Sequence, residues 1–282
     1  MNTTAFNAWL AHLPLPAIAG LLFLCMLVAA VIGFSLRARH QKSDAQTGRK
    51  DDTEGQEGYV VSAVLGLLAL LMGFTFSLAV DRFETRRARV LEEANAIGTT
   101  YLRTQLLGEP DRQRISGLLI RYVDNRIALA DAPTAEIPRR LQTNDQILTD
   151  LWAATSAAFD NIKGLDFSST YVESMNALID MDSARKAARL AHVPDEIFTV
   201  LFIYLIVTCG VMGYVLTGTR GRISAAFLLI LLTMSFTLII DIDRPNLGGV
   251  RELQGPMEDL KASLAAQPPA VFDHWKVVPA KP

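Results

Sequence analysis

Histidines and cysteines are few in this chain, and their spacing, with that of the carboxylates, decides what chemistry is open. His12, His40, His192 and His274 lie in four separate regions, none with a second ligand at metal-binding spacing. Cys25 and Cys209 fall inside apolar blocks, where they supply neither a disulfide framework nor thiolate ligands to the polar segments. The pairs Glu92-Glu93 and Asp180/Asp182 have the spacing of solvated helix faces. There is no P-loop, no Gly-x-Ser-x-Gly elbow and no His-Glu-x-x-His. The expectation is a protein without enzymatic activity, cofactor or metal.

What must position any remaining function is apolar. Half of the 282 residues are hydrophobic, and they cluster in four blocks: about 15–36, 59–80, 197–216 and 223–240. Each is about 18 to 22 residues long, enough at ~1.5 Å per residue to cross a hydrocarbon core of about 30 Å. None carries the polar stripe of a buried soluble helix. Residues 1–14 contain no Lys or Arg, so the first block lacks the basic start of a cleaved signal peptide and reads as a permanent anchor. With 27 basic and 29 acidic residues, the chain has no excess of positive charge with which to bind nucleic acid.

The spans carry small residues at four-residue spacing: Ser62 and Gly66; Ala69, Gly73 and Ser77; Cys209, Gly213 and Thr217. Such rows let helix backbones approach in lipid, within one chain or between subunits. No ionisable side chain sits near the middle of a span, which argues against an ion-coupled transporter and leaves room for a passive pore.

Between the two hairpins lies a polar stretch with helical periodicity and no strand pattern. The second span continues past Asp81 with Val90, Ala94, Ile97, Tyr101 and Leu102 in register, predicting one helix of about 45 to 50 residues. Gly108-Glu109-Pro110 breaks it. A second helix has Ile115, Leu118, Leu119, Tyr122, Val123, Ile127 and Ala130 on its apolar stripe. A third is expected to turn Leu141, Leu148, Leu151, Trp152, Ala158, Phe159 and Ile162 inward. The last begins at Ser168 or Ser169 and reaches about Ala191, with Pro194 before the third span. The predicted fold is an all-α membrane protein: four transmembrane helices in two hairpins with an inserted antiparallel helical bundle. Its expected parts are a first hairpin over 1–80, a helical domain over 81–195, a second hairpin over 196–242 and a tail over 243–282. In the tail a short helix over about 256–265 precedes a proline-rich end that is flexible or packed along a neighbour.

Two charged places stand out where spans meet water. Arg82, Arg86, Arg87 and Arg89 are interleaved with Glu84, Glu92 and Glu93; they read as a salt-bridged helix face, a lipid-phosphate anchor or an anion-attracting vestibule. At the end of the fourth span, Asp241 and Asp243 meet the negative end of a helix dipole, unfavourable by roughly 0.3 to 1 kcal/mol when exposed. An ion-paired junction drawn from Asp81, Arg82, Glu84, Arg86, Asp241, Asp243 and Arg244 is preferred over a ligand or ion site.

The stretch Leu65-Gly66-Leu67-Leu68-Ala69-Leu70-Leu71-Met72-Gly73-Phe74 leading to Asp81-Arg82-Phe83-Glu84-Thr85-Arg86-Arg87 resembles the second span of bestrophin-like membrane proteins. Residues 92–103 and Asp241-Ile242-Asp243-Arg244-Pro245 resemble more closely a bacterial family of four-span proteins described as having a bestrophin-like domain. The likeness runs from about 59 to 260. It implies a homo-oligomeric anion channel, pentameric in true bestrophins, passing chloride or other small anions, with the second spans around the pore and Phe74 and Phe76 as constriction residues. Phe83-Glu84 stands where the usual signature has two tryptophans, and no acidic calcium clasp is visible.

The resemblance also implies a multi-pass protein of a cell membrane, the inner membrane in a bacterium. Arg37, Arg39, Lys42, Arg49 and Lys50 in one short loop, and Arg220 and Arg222 in the other, put both loops in the cytoplasm and the helical domain outside; true bestrophins place the equivalent helices inside. Two other readings stay open. One is a membrane sensor or interaction protein whose helical domain binds a ligand or partner without transport. The other is a purely structural membrane protein.

Overall fold

The computed structural model describes the backbone of residues 13–47, 54–244 and 249–274, and the side chains of all these but 43–47 and 54–57. His12, Arg49, Lys50 and the stretch 245–248 lie outside the described residues. The described residues form eight α-helices and no strand: α1 (Leu15–Thr47), α2 (Glu54–Thr104), α3 (Asp111–Ala130), α4 (Ile137–Ile162), α5 (Ser168–Leu190), α6 (Asp195–Val215), α7 (Gly218–Asp243) and α8 (Gly255–Ala266), followed by a 3-10 turn at Pro269–Asp273. By length and composition α1, α2, α6 and α7 each hold a stretch able to cross a membrane. The fold class read from the sequence is the one observed.

The chain divides into two compact units, Met1–Phe83 with Ala191–Arg251, and Glu84–Leu190 with Glu252–Pro282. α2 is 51 residues long and runs unbroken through the boundary. Neither Gly58, Gly66, Gly73 nor Gly98 interrupts it, and no proline lies among its residues.

The first unit holds the four spans. Met26, Leu68, Ala79, Leu205, Cys209 and Met212 are buried in its core. Its tightest feature is the approach of α1 to α6. A methyl group placed on Gly33 would stand 2.0 Å from the carbonyl oxygen of Gly210, and one on Gly213 would stand 2.0 Å from that of Ala30. The two backbones touch where side chains would hold them apart, which is how helices gain dispersion contacts in lipid. Two span hydroxyls are satisfied within their own helix: Thr75 donates to Leu71 at 2.8 Å and Thr233 to Leu229 at 2.7 Å.

The second unit is a helical bundle. Val90, Ile97 and Tyr101 of α2, Ile115, Leu119 and Tyr122 of α3, Leu151 of α4 and Met175 of α5 fill its core. The face of α4 differs from expectation. Trp152 and Phe159 are exposed, and Asn144, Ile147, Leu151, Ala154, Thr155, Ala158 and Ile162 point inward. The inward row is mostly small or branched, so α4 can lie close to its neighbours, whereas the two large rings would hold it away. Pro138 sits in the first turn of α4, where a missing N–H costs nothing.

The segment after the fourth span belongs to this bundle. Met257 and Leu264 of α8 are buried in its core. Lys261 pairs with Asp124 at 2.8 Å, the Tyr101 hydroxyl donates to the carbonyl of Gln267 at 2.8 Å, and Arg112 forks onto Asp273 at 2.6 and 2.9 Å. The last part of the proline-rich end, 275–282, lies outside the described residues.

Candidate functional site

Along the span portion of α2, one face is left uncovered by the described residues. Val61, Leu68, Met72, Thr75 and Ala79 are buried, while Ser62, Gly66, Leu70, Gly73 and Ser77 are exposed. A methyl group on Gly66 or Gly73 would meet nothing within 4 Å. Phe74 is 66% and Phe76 40% exposed. At ~100° per residue the two rings stand about 160° apart around the helix, on either edge of the small-residue strip. Beside Phe74 an apolar groove of about 380 Å³ separates α2 from the start of α6, with Thr75, Leu78, Glu196 and Val200 among its lining residues.

The residues expected at the span ends take several partners. The Asp241 carboxylate accepts the backbone N–H of Gly249 at 2.8 Å, and Asp243 accepts that of Val193 at 2.9 Å. His192 lies 3.1 Å from the Asp243 carbonyl through Nδ1. Main-chain donors thus meet both acids at the negative end of α7, doing what a cation would do there. Arg244 donates to the carbonyl of Leu13 at 2.9 Å. Asp81 and Arg82 share the first unit with these residues; Glu84 and Arg86 belong to the second. Glu84 lies 3.6 Å from Arg87 one turn on, and the buried Arg86 guanidinium lies 3.2 Å from Glu252. Arg86 is therefore not part of a solvated face.

The second unit also holds a charge network that the sequence did not suggest. Glu93 and Asp182, each read as one half of a solvated pair, are both buried; their neighbours Glu92 and Asp180 are not. Glu93 accepts the Tyr122 hydroxyl at 2.6 Å, one Nη of Arg126 at 3.0 Å and one Nη of Arg185, and Arg126 Nε lies 2.9 Å away as an ion-pair contact. Asp182 takes Asn144 at 2.9 Å, Arg126 at 3.4 Å and Lys186 at 2.7 Å. Arg185 also donates to Gln254 at 2.7 Å. Two buried carboxylates face two buried guanidiniums, and the half-buried Lys186 at the edge is shared with Asp145 at 2.6 Å. Burial pushes the Tyr122 hydroxyl well above its ordinary pKa, reinforced by the Glu93 charge. Burial opposes the Arg126 charge, but Tyr122, Glu93 and Asp182 outweigh it and hold its pKa up. The signal that could have marked the network is an arginine, Arg126, on the apolar stripe of α3, one turn beyond Tyr122.

This architecture, four spans with a helical bundle built from the chain before and after the second hairpin, can be set beside known proteins. The model of the bestrophin-like domain family matches residues 20–251, most of the chain. The chain belongs to that family. Among solved structures, the bestrophin-like chain is similar to a bacterial bestrophin homologue from Klebsiella pneumoniae, with a TM-score of 0.63 and 15% identity over 86% of this chain and 97% of that one. A point variant of that homologue gives a TM-score of 0.62 and 16% identity over 87% and 98% of the two chains. At such identity the likeness is one of fold. No curated protein matches the bestrophin-like chain significantly.

Proposed function

We propose that this bestrophin-like chain is the subunit of a homo-oligomeric ion channel that passes small anions such as chloride, with the exposed face of α2 turned to the conduit. The observation that carries the reading is the unpartnered strip Ser62, Gly66, Gly73 and Ser77. Glycine and serine make a poor lipid-facing surface, since they bring little apolar area to the hydrocarbon. Their small size suits a narrow conduit or a neighbouring copy. Around a ring, the Phe74 edge of one copy meets the Phe76 edge of the next, which makes these rings the narrowing residues. Further along α2 the same strip carries the exposed Asp81 and Glu84, with Arg87 beside them.

Because charge at that end is mixed, the reversal potential is the deciding readout. Purified protein in planar bilayers under a potassium chloride gradient is expected to give currents reversing near the chloride potential. Phe74→Ala with Phe76→Ala is expected to raise conductance. Reversal at the potassium potential would remove the anion assignment, and silence across salt and calcium conditions would remove the channel.

A further inference from the structure

Residues 15–42 and 197–240, which include three of the four spans, contain no Asp or Glu, and their five basic residues are Arg37, Arg39, Lys42, Arg220 and Arg222. All five lie where α1 leaves its apolar stretch and where α6 turns into α7. Gly218, at φ +74°, makes that turn. The two places are tied together by aromatic rings. His40 Nδ1 lies 2.9 Å from the Tyr214 hydroxyl, the buried Arg37 guanidinium sits 5.2 Å from the centre of the Tyr214 ring, and Arg222 sits 4.2 Å from that of Phe34.

Elsewhere, four surface arginines pair with an acid one turn away: Arg87 with Glu84, Arg89 with Glu92, Arg114 with Asp111 and Arg139 with Glu136. Here the helix positions one turn from Arg39, Arg220 and Arg222 hold no acid. Among the described residues no carboxylate pairs with Arg39, Lys42, Arg220 or Arg222, and all four are exposed. Stacking on Phe34 leaves the in-plane N–H groups of Arg222 free to fork onto a planar or tetrahedral oxyanion.

Directly along the helices from this cluster run exposed apolar ridges: Val28, Ile32 and Leu36 on α1, and Ile223, Phe227 and Leu231 on α7. An occupant that satisfies both parts must join a negative head to long apolar chains. We infer that the cluster formed by the end of α1 and the α6–α7 turn binds the headgroup of an anionic glycerophospholipid, with its acyl chains along the α1 and α7 ridges. Inorganic phosphate would leave the ridges unused. A zwitterionic lipid brings its own cation into a patch that already holds several. The inference does not depend on ion conduction, and its readout is binding alone.

The full chain, purified in a neutral detergent, is mixed with equal amounts of phosphatidylglycerol and phosphatidylcholine of matched acyl chains, and retained lipid is counted by native mass spectrometry. Phosphatidylglycerol is expected to be retained preferentially and to raise the thermal unfolding midpoint. Arg220→Gln with Arg222→Gln is expected to lower that preference roughly fivefold per arginine, the equivalent of about 1 kcal/mol each. Arg220→Lys with Arg222→Lys should keep most of it. Should the glutamine variant fail to fold, Arg39→Gln with Lys42→Gln, on the exposed end of α1, is the second test and is expected to show the same loss. Equal retention of the two lipids, an unchanged preference in a folded glutamine variant, or displacement of the lipid by an equimolar amount of inorganic phosphate would each overturn the inference.

Discussion

Removing the Glu93 carboxylate would leave the Arg126 and Arg185 guanidiniums facing one another in a buried space without their common partner. Breaking a buried pair from one side costs about 3–5 kcal/mol, so Glu93→Ala is expected to lower stability by that order in chemical denaturation. Glu92→Ala, on the exposed pair with Arg89, is expected to cost less than about 1 kcal/mol. The contrast explains why the network escaped a reading of the sequence. Glu92 and Glu93 are the same residue type side by side, and only the meeting of four helices makes one of them interior. Tyr122 adds a pH dependence. Its hydroxyl stays protonated in the folded state to a pH well above the ordinary value, whereas the unfolded chain releases that proton at about pH 10. Below that pH the unfolded and folded states hold the same proton, so this contribution is complete there. It is lost as pH rises from about 10 toward the folded-state value. Tyr122→Phe is expected to flatten the alkaline fall in unfolding midpoint, measured from pH 8 to about pH 11.

At the level of helices, the α1–α6 contact tolerates no added atoms. Gly213→Val would place carbon where the Ala30 backbone already stands, and overpacking of this kind costs about 1–3 kcal/mol or more. A lowered melting midpoint in detergent is the expected result. Gly33→Ala should act in the same direction through Gly210. The extents of the helices were legible because prolines and glycines punctuate them: Pro110 precedes α3 and Pro194 precedes α6. The inward face of α4 was not. Size drew Trp152 and Phe159 inward in the reading, while the observed row from Ile147 through Leu151, Ala154 and Ala158 to Ile162 keeps helical period with smaller residues. The association of α8 with the bundle was equally hidden, since Met257 and Leu264 are two apolar residues in a short segment with no partner named by sequence.

For the whole molecule, composition and the four apolar blocks were enough to assign a multi-pass membrane protein, and residues 20–251 place it among bestrophin-like chains. The candidate conduit was legible only as a row of small residues; that Gly66 and Gly73 in this row meet no described residue within 4 Å needed the structure. A change that matters only between copies should therefore spare the subunit. Gly73→Leu fills open space in the single chain and is expected to leave its melting midpoint within a few degrees of the parent. In the proposed channel the same variant narrows the conduit and should lower single-channel conductance in planar bilayers, whereas conductance equal to the parent's would place the α2 strip away from the conduit.

The order in which a ribosome makes this chain gives the bundle a late completion. Residues 84–190 emerge first, but Met257, Leu264, the Gln267 acceptor for Tyr101 and the Asp273 partner of Arg112 are synthesised only after the second hairpin. A nascent chain halted before residue 252 thus carries a bundle with an uncovered apolar surface and an Arg112 left with Glu109 alone. Such a chain is expected to be cut by added protease more readily than one that includes α8 and the 3-10 turn.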